Sequence, residues 1–134
     1  MGTAKQIIVL RSDLEMPPGK AASQAAHASI AWLSCRLAFR GNLKGPPYES
    51  VPSLYSEAEL EWLGNSFTKI VVQAELQDMM HVYYEAQDAR LEAHLIIDEG
   101  RTVFDGIPTP TAVAIGPDYS TKLDPITGGL RLYK

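Results

Sequence analysis

Apolar and polar positions along the chain fall into two alternating patterns, short β-branched runs and longer stretches with helical spacing. Gln6 to Arg11 (Gln-Ile-Ile-Val-Leu-Arg) is a compact apolar run fit for a strand buried on both faces. Pro17-Pro18 closes the loop that follows, because a proline disfavours helix before it and tolerates one just after. From Gly19 to about Arg40 the spacing predicts one long helix. Ala21, Ala22, Ala25, Ala26, Ala28 and Ala31 give it high propensity and a thin profile that lies close against a sheet. Ile30, Trp32, Leu33, Leu37 and Phe39 make its later turns broadly apolar.

Gly41 to Ser56 is rich in Gly, Pro and Ser and reads as a long surface loop. Ser56 and Glu59 form a capping-box signature for a short helix ending near Gly64. Thr68 to Ala74 predicts a second buried strand. Asp78 to Arg90 predicts a helix with Met79, Val82, Tyr83 and Ala86 on one face. Ala93 to Ile97 and Thr111 to Ile115 complete the strands, a short helix is expected from Pro117, and Leu130 to Lys134 is left as a tail. The order β-α-α-β-α-β-β predicts one α/β domain over residues 1–134. Its first three strands are long-connected and parallel, and the fourth is antiparallel, which makes a mixed sheet with helices on both faces.

Composition narrows the class. With 134 residues, 46% of them apolar, the chain suffices for one core. No apolar run approaches the roughly 20 residues of a membrane span, and the start lacks a signal-peptide layout. A single cysteine, Cys35, excludes an internal disulfide and points to a reducing compartment. Set between Trp32 and Phe39, it is expected in the core rather than at a reactive site. The formal charge of −4 argues against a generic nucleic-acid binder. It is unevenly spread, however. Residues 1–44 carry six basic and two acidic side chains, a net of +4, and the remainder a net of −8.

Two segments carry candidate chemistry. Lys20, Gln24 and His27 stand at i, i+4 and i+7, on one face of an otherwise small or apolar helix. Asp98-Glu99-Gly100-Arg101-Thr102 follows directly on a buried strand, at the end where open α/β sheets place ligands. Taken separately, each has an ordinary explanation, a solvated helix edge for the first and a capped turn for the second. Parallel strands one and three would bring Lys20 and Asp98 to the same rim, and that convergence favours a site holding an anion or polarising a carbonyl. Gly19-Lys20 is not a phosphate-binding loop, since Ala21 stands where a hydroxyl should hold magnesium. The sequence has no dinucleotide-binding or nucleophile-elbow signature, and His27, His81 and His94 lack metal-ligand spacing.

At these residues the chain resembles the archaeal/eukaryotic-type peptidyl-tRNA hydrolases, the Pth2 family. The match runs from Ile8-Val9-Leu10-Arg11-Ser12-Asp13-Leu14 through Met16, Gly19-Lys20, Ala22, Gln24 and His27-Ala28. It resumes at Trp62, Lys69-Ile70-Val71-Val72, Asp98-x-Gly100-Arg101-Thr102, Thr111, Ile115-Gly116-Pro117 and Asp124-x-x-Thr127-Gly128. The resemblance implies a three-layer α/β/α fold with a mixed four-stranded sheet, usually a cytoplasmic homodimer. It also implies hydrolysis of the ester joining a peptide to the 3′ end of tRNA, with no metal or other cofactor. Lys20, Asp98, Thr102 and Thr111 match the family's catalytic set, and Arg11, Gln24, His27 and Arg101 its surrounding polar positions. Thr109 is a second candidate for the position of Thr111, because Val103 to Pro110 is one residue longer than the family pattern. The family's usual loop lysine is replaced by Pro17-Pro18, and the 41–56 loop is longer than usual. Both departures keep open a non-catalytic RNA- or protein-binding module on the same fold. An esterase acting on another acyl-RNA is a further alternative.

Overall fold

A computed structural model describes residues 2–39, 55–100 and 104–134. Nine elements and one π-helical turn follow in order: β1 (Ala4–Arg11), α1 (Pro18–Phe39), α2 (Glu57–Glu61), the π turn (Trp62–Ser66), β2 (Thr68–Ala74), α3 (Leu76–Asp88), β3 (Ala93–Asp98), β4 (Thr109–Tyr119), α4 (Ser120–Thr127) and β5 (Arg131–Leu132). They build one sheet in the order β3-β4-β1-β2-β5.

β1 is the centre of that sheet, as its apolar run requires. It pairs in parallel with β2, from Lys5 opposite Thr68 to Arg11 opposite Ala74, and antiparallel with β4. β3 is antiparallel to β4, so β1, β2 and β3 all point the same way. Alternate residues feed the two faces. Ile7, Val9, Val72, Val113 and Ile115 pack against Met79, Val82 and Ala86 of α3 and Leu123 of α4. Ile8, Leu10, Ala112 and Ala114 pack against Ala21 and Ala28 of α1, where small side chains on both partners let helix and sheet approach closely. The α/β layering with helices on both faces is as expected.

The expected fourfold sheet gains a fifth strand. Two residues of the predicted tail, Arg131 and Leu132, pair antiparallel with Gln73 and Val72. Both are exposed, so no apolar periodicity marks them. The expected helix start at Pro117 is also displaced. β4 continues through Gly116 and Pro117 to Tyr119, and α4 begins at Ser120. Gly116 makes this possible with φ at +90°, where a Cβ would lie 2.9 Å from the Asp118 amide nitrogen and 3.0 Å from the Lys5 carbonyl oxygen. α3 is shifted slightly, starting at Leu76 and ending at Asp88.

The capping box forms as read. The Glu59 amide donates to Ser56 Oγ at 3.1 Å, and the Ser56 amide to Glu59 Oε1 at 2.8 Å. Beyond Glu61 the chain passes Gly64 in a π turn closed by the Phe67 amide on the Trp62 carbonyl. Trp32 and Trp62 stack edge to face beneath it. Cys35, expected in the core, is exposed. Arg36 takes the inward position one turn after Trp32 instead, because it meets two acidic partners there. Its guanidinium donates to both Glu59 oxygens (2.6 and 2.9 Å) and to Glu92 (2.6 Å), and it lies over the Trp32 ring. Glu92 in turn contacts His94 Nε2 at 2.7 Å. No helix among the described residues is long and apolar enough to cross a membrane.

Glu59 is buried, with 5% of its surface exposed, so its charge depends on Arg36 for compensation. Arg36→Ala is expected to destabilise the fold by about 3 kcal/mol, read from denaturant unfolding, because it leaves a buried carboxylate unpaired. The double variant Arg36→Met with Glu59→Met is expected to recover most of that loss. A single variant as stable as the parent would contradict this account.

Candidate active site

The strand directions determine the site. β1 and β3 end at the same edge of the sheet, with β4 between them. The loop after β1 runs straight into α1 and places Lys20 in the helix's first turn. β3 ends on Asp98. The Lys20 ammonium lies 2.8 Å from Asp98 Oδ1, although 78 residues separate them. Their side chains are only 13% and 14% exposed, so solvent screens the pair weakly.

Each carboxylate oxygen has further partners. Oδ1 also accepts from the Gln24 side-chain amide at 3.3 Å. Oδ2 accepts from the Gly100 amide at 2.9 Å. Gly100 holds φ at +81°, and a Cβ there would sit 2.5 Å from the Ile107 carbonyl oxygen and 2.6 Å from its nitrogen. Only glycine fits both the torsion and the space. Gln24 is itself pinned from behind, where Thr111 Oγ1 donates to its carbonyl oxygen at 2.6 Å. Both residues are fully buried. The hydrogen bond from Lys20 is the largest influence on Asp98 and holds its carboxyl below the ordinary aspartate range. Burial opposes this, and the Gly100 amide and Gln24 add to the depression.

The remaining candidates take different places. Arg11 is nearly buried, and its fork is engaged by Asp13 (3.0 and 2.7 Å) and by the Pro110 carbonyl (3.0 Å). It ties the end of β1 to the start of β4 beside the site. Asp13 is correspondingly held below the usual carboxylate range by Arg11. Thr109 lies opposite Asp98 in the strand register and gives its hydroxyl to the Ile107 carbonyl at 2.8 Å. His27 is exposed at the far end of a cleft of about 270 Å³ that also touches Lys20, Gln24, Ile96, Ile97 and Asp98. Arg101 and Thr102 lie outside the described residues.

Sequence reasoning missed three features of the site. Phe104 places its ring 5.5 Å from the Lys20 ammonium, Ile97 lines the cleft and is exposed, and Ile107 is exposed where its backbone meets Gly100. Two isoleucines flanking an Asp-x-Gly turn were the available signal. A larger apolar groove, about 610 Å³, opens on the other flank of α1 between Ile30, Trp32, Trp62 and Phe67. Among the described residues, Lys69 is the only charged one lining it, and none of them is a carboxylate. The smaller cleft is the one that brings an ammonium and a carboxylate together. An ammonium and an ionised carboxylate side by side at its end are equipped to orient water and to stabilise a developing oxyanion.

Comparison with known proteins agrees with that chemistry. A family model for peptidyl-tRNA hydrolase PTH2 matches residues 4–133. The chain is 38% identical over 130 residues to a peptidyl-tRNA hydrolase of Aeropyrum pernix, covering 96% of this chain and 95% of the relative. It is 33% identical to the peptidyl-tRNA hydrolase of Methanothermobacter thermautotrophicus (96% and 98% covered) and 35% identical to that of Pyrobaculum aerophilum (97% and 98%). Among solved structures, a protein of unknown function from Agrobacterium tumefaciens matches over 100% of both chains with a TM-score of 0.56 at 20% identity, a likeness of fold alone. With a family match that leaves out only three residues at the start and one at the end, and with full-length archaeal relatives above 30% identity, this chain belongs to the peptidyl-tRNA hydrolase PTH2 family.

Proposed function

We propose that the chain hydrolyses peptidyl-tRNA, with water attacking the ester between the peptide carboxyl and the 3′ ribose to release free peptide and tRNA. The observation that carries this reading is the 2.8 Å pair of Lys20 and Asp98 at the end of an open cleft, in a chain of this family. Lys20 stabilises the negative charge that builds on the carbonyl oxygen as water adds, and the intermediate collapses with the 3′ ribose oxygen leaving and taking up a proton. Asp98 orients the attacking water and draws on its proton through a lone pair left by the Lys20, Gln24 and Gly100 contacts. Gln24 and Thr111 are positioning residues that fix the carboxylate from within the core. By the family resemblance, Arg101, Thr102, His27 and Thr109 complete the proposed surroundings of the tRNA end, and Arg11 holds the start of β4 through the Pro110 carbonyl. The family resemblance extends the proposal to a cytoplasmic homodimer that uses neither metal nor nucleotide.

Lys20→Ala and Asp98→Ala are each expected to lower kcat/KM on peptidyl-tRNA by about 10²–10³ while the circular dichroism spectrum stays unchanged. Wild-type turnover in either folded variant removes that residue from the mechanism. No turnover by the parent protein would turn the reading toward a binding module.

Thr111→Val retains the shape of the side chain but leaves the buried Gln24 oxygen without its donor. Turnover is expected to fall about tenfold. Thr111→Ser, which restores the hydroxyl, is expected to recover it, and equal rates in both variants would exclude a positioning role.

The Asp98 carboxyl is expected to titrate below the ordinary aspartate value of 3.8. A depressed value means that the fold favours the charged form. The pair's stabilisation is therefore present above the ordinary value and lost as pH falls through the lower folded one. Lys20→Gln removes the largest cause and moves the midpoint upward in a carbon-13 NMR titration. An unmoved midpoint would show that the ammonium does not control this carboxylate.

A further inference from the structure

β3 is an edge strand, and its open side leads into the site. It pairs only with β4, and among the described residues no strand lies beyond it. None of its six residues is buried, in contrast to β1. The Gly116 amide donates to the Glu92 carbonyl, flanking the pair Ala93–Ile115. In an antiparallel ladder that bond makes Ala93–Ile115 a non-hydrogen-bonded pair, and alternation then turns the amides and carbonyls of Ala93 and Leu95 away from β4. One step further, Ile97 stands opposite Pro110, which has no amide to give and whose carbonyl accepts from Arg11 at 3.0 Å. Exposed edges are normally blunted by lysine, proline or a cover. The sequence Ala-His-Leu-Ile-Ile-Asp has neither residue, and its Ile97 is 55% exposed.

The cleft meets the last three residues of this edge, Ile96 to Asp98, and Leu95 precedes them on the strand. One wall is Lys20, Gln24 and His27 of α1, and the other is Asp98, Ile97 and Ile96. Lys20 and His27 are seven residues apart on the helix, about 10 Å along its axis, which is the length of about three extended residues. We infer that the peptide part of the substrate binds as an added strand along the outer edge of β3, parallel to it, with its C-terminal ester carbonyl at Lys20 and Asp98. The direction is dictated by the site. β3 runs toward Asp98, and the peptide's esterified end must lie there, so the two chains run the same way. The recognition suits the substrate as well. Peptides that share no side chains share one backbone, and strand addition reads the backbone. The exposed Ile97 at the cleft offers apolar contact without selecting among side chains. This inference rests on the proposed hydrolysis and adds to it the subsite that holds the peptide.

The test uses the full chain and N-acetylated alanine peptides of one, three and five residues esterified to tRNA. kcat/KM is expected to rise with peptide length, by about fivefold for each backbone hydrogen bond gained, and to level off once the edge is covered. Methylating single amides along the five-residue peptide is expected to remove about fivefold at alternate positions only. Leu95→Pro deletes an outward amide while sparing the bonds to β4, and is expected to reduce the five-residue substrate toward the one-residue rate. Should that variant fail to fold, the methylated substrates decide the matter on the unaltered protein. Rates indifferent to length overturn the inference, as does methylation that is harmless or equally harmful at every position. In both cases hydrolysis of the one-residue substrate leaves the proposed function standing. Failure to cleave any of the substrates overturns the function itself, and the inference with it.

Discussion

The site depends on the shared direction of two strands that never touch. β1 and β3 are separated by β4, and each is antiparallel to it, so both end at the same rim. Reversing either would send Lys20 and Asp98 to opposite ends of the sheet, about 20 Å apart for strands of six to eight residues. The geometry of the pair is thus a property of topology before it is a property of side chains. The short loop after β1 leads directly into α1, so the helix's first turn stays at that rim.

The rigidity of the pair comes from the core. A carboxylate with 14% exposure is costly unless its oxygens are occupied, and here a lysine, a glutamine and a backbone amide occupy them. Gln24 is an amide in a helix face of alanines, and it stays buried because Thr111 satisfies its oxygen and Asp98 accepts from its nitrogen. Gly100 supplies the last donor from a conformation that other residues reach only with strain. The same economy recurs away from the site, where Arg36 meets Glu59 and Glu92 beneath the capping box.

Much of this was legible in the residues. The apolar runs located β1, β2 and the core of β4; β1 and the core of β4 are buried on both faces, whereas β2, expected buried, is buried only at Val72 and Ala74. The spacing of Lys20, Gln24 and His27 placed all three on the wall of one cleft. What remained hidden depended on long-range partners. Cys35 turned outward because Arg36 had acidic partners contributed by α2 and by the turn before β3. β5 exists only because the edge of β2 accepts it. The connection from Thr111 to Gln24 spans 87 residues and follows from the packing of α1 on β4, which no local pattern encodes.

β3 contributes Asp98 yet has only β4 as a strand neighbour. Lys20, by contrast, sits on a helix packed over the centre of the sheet. On the proposed mechanism, catalysis is therefore tied to an edge strand of the sheet, the kind of element that opens early when a protein breathes locally. Detachment of this one strand would separate the ammonium from the carboxylate while β1, β2 and β4 remained assembled. On the proposed mechanism, loss of activity therefore need not await unfolding of the whole sheet.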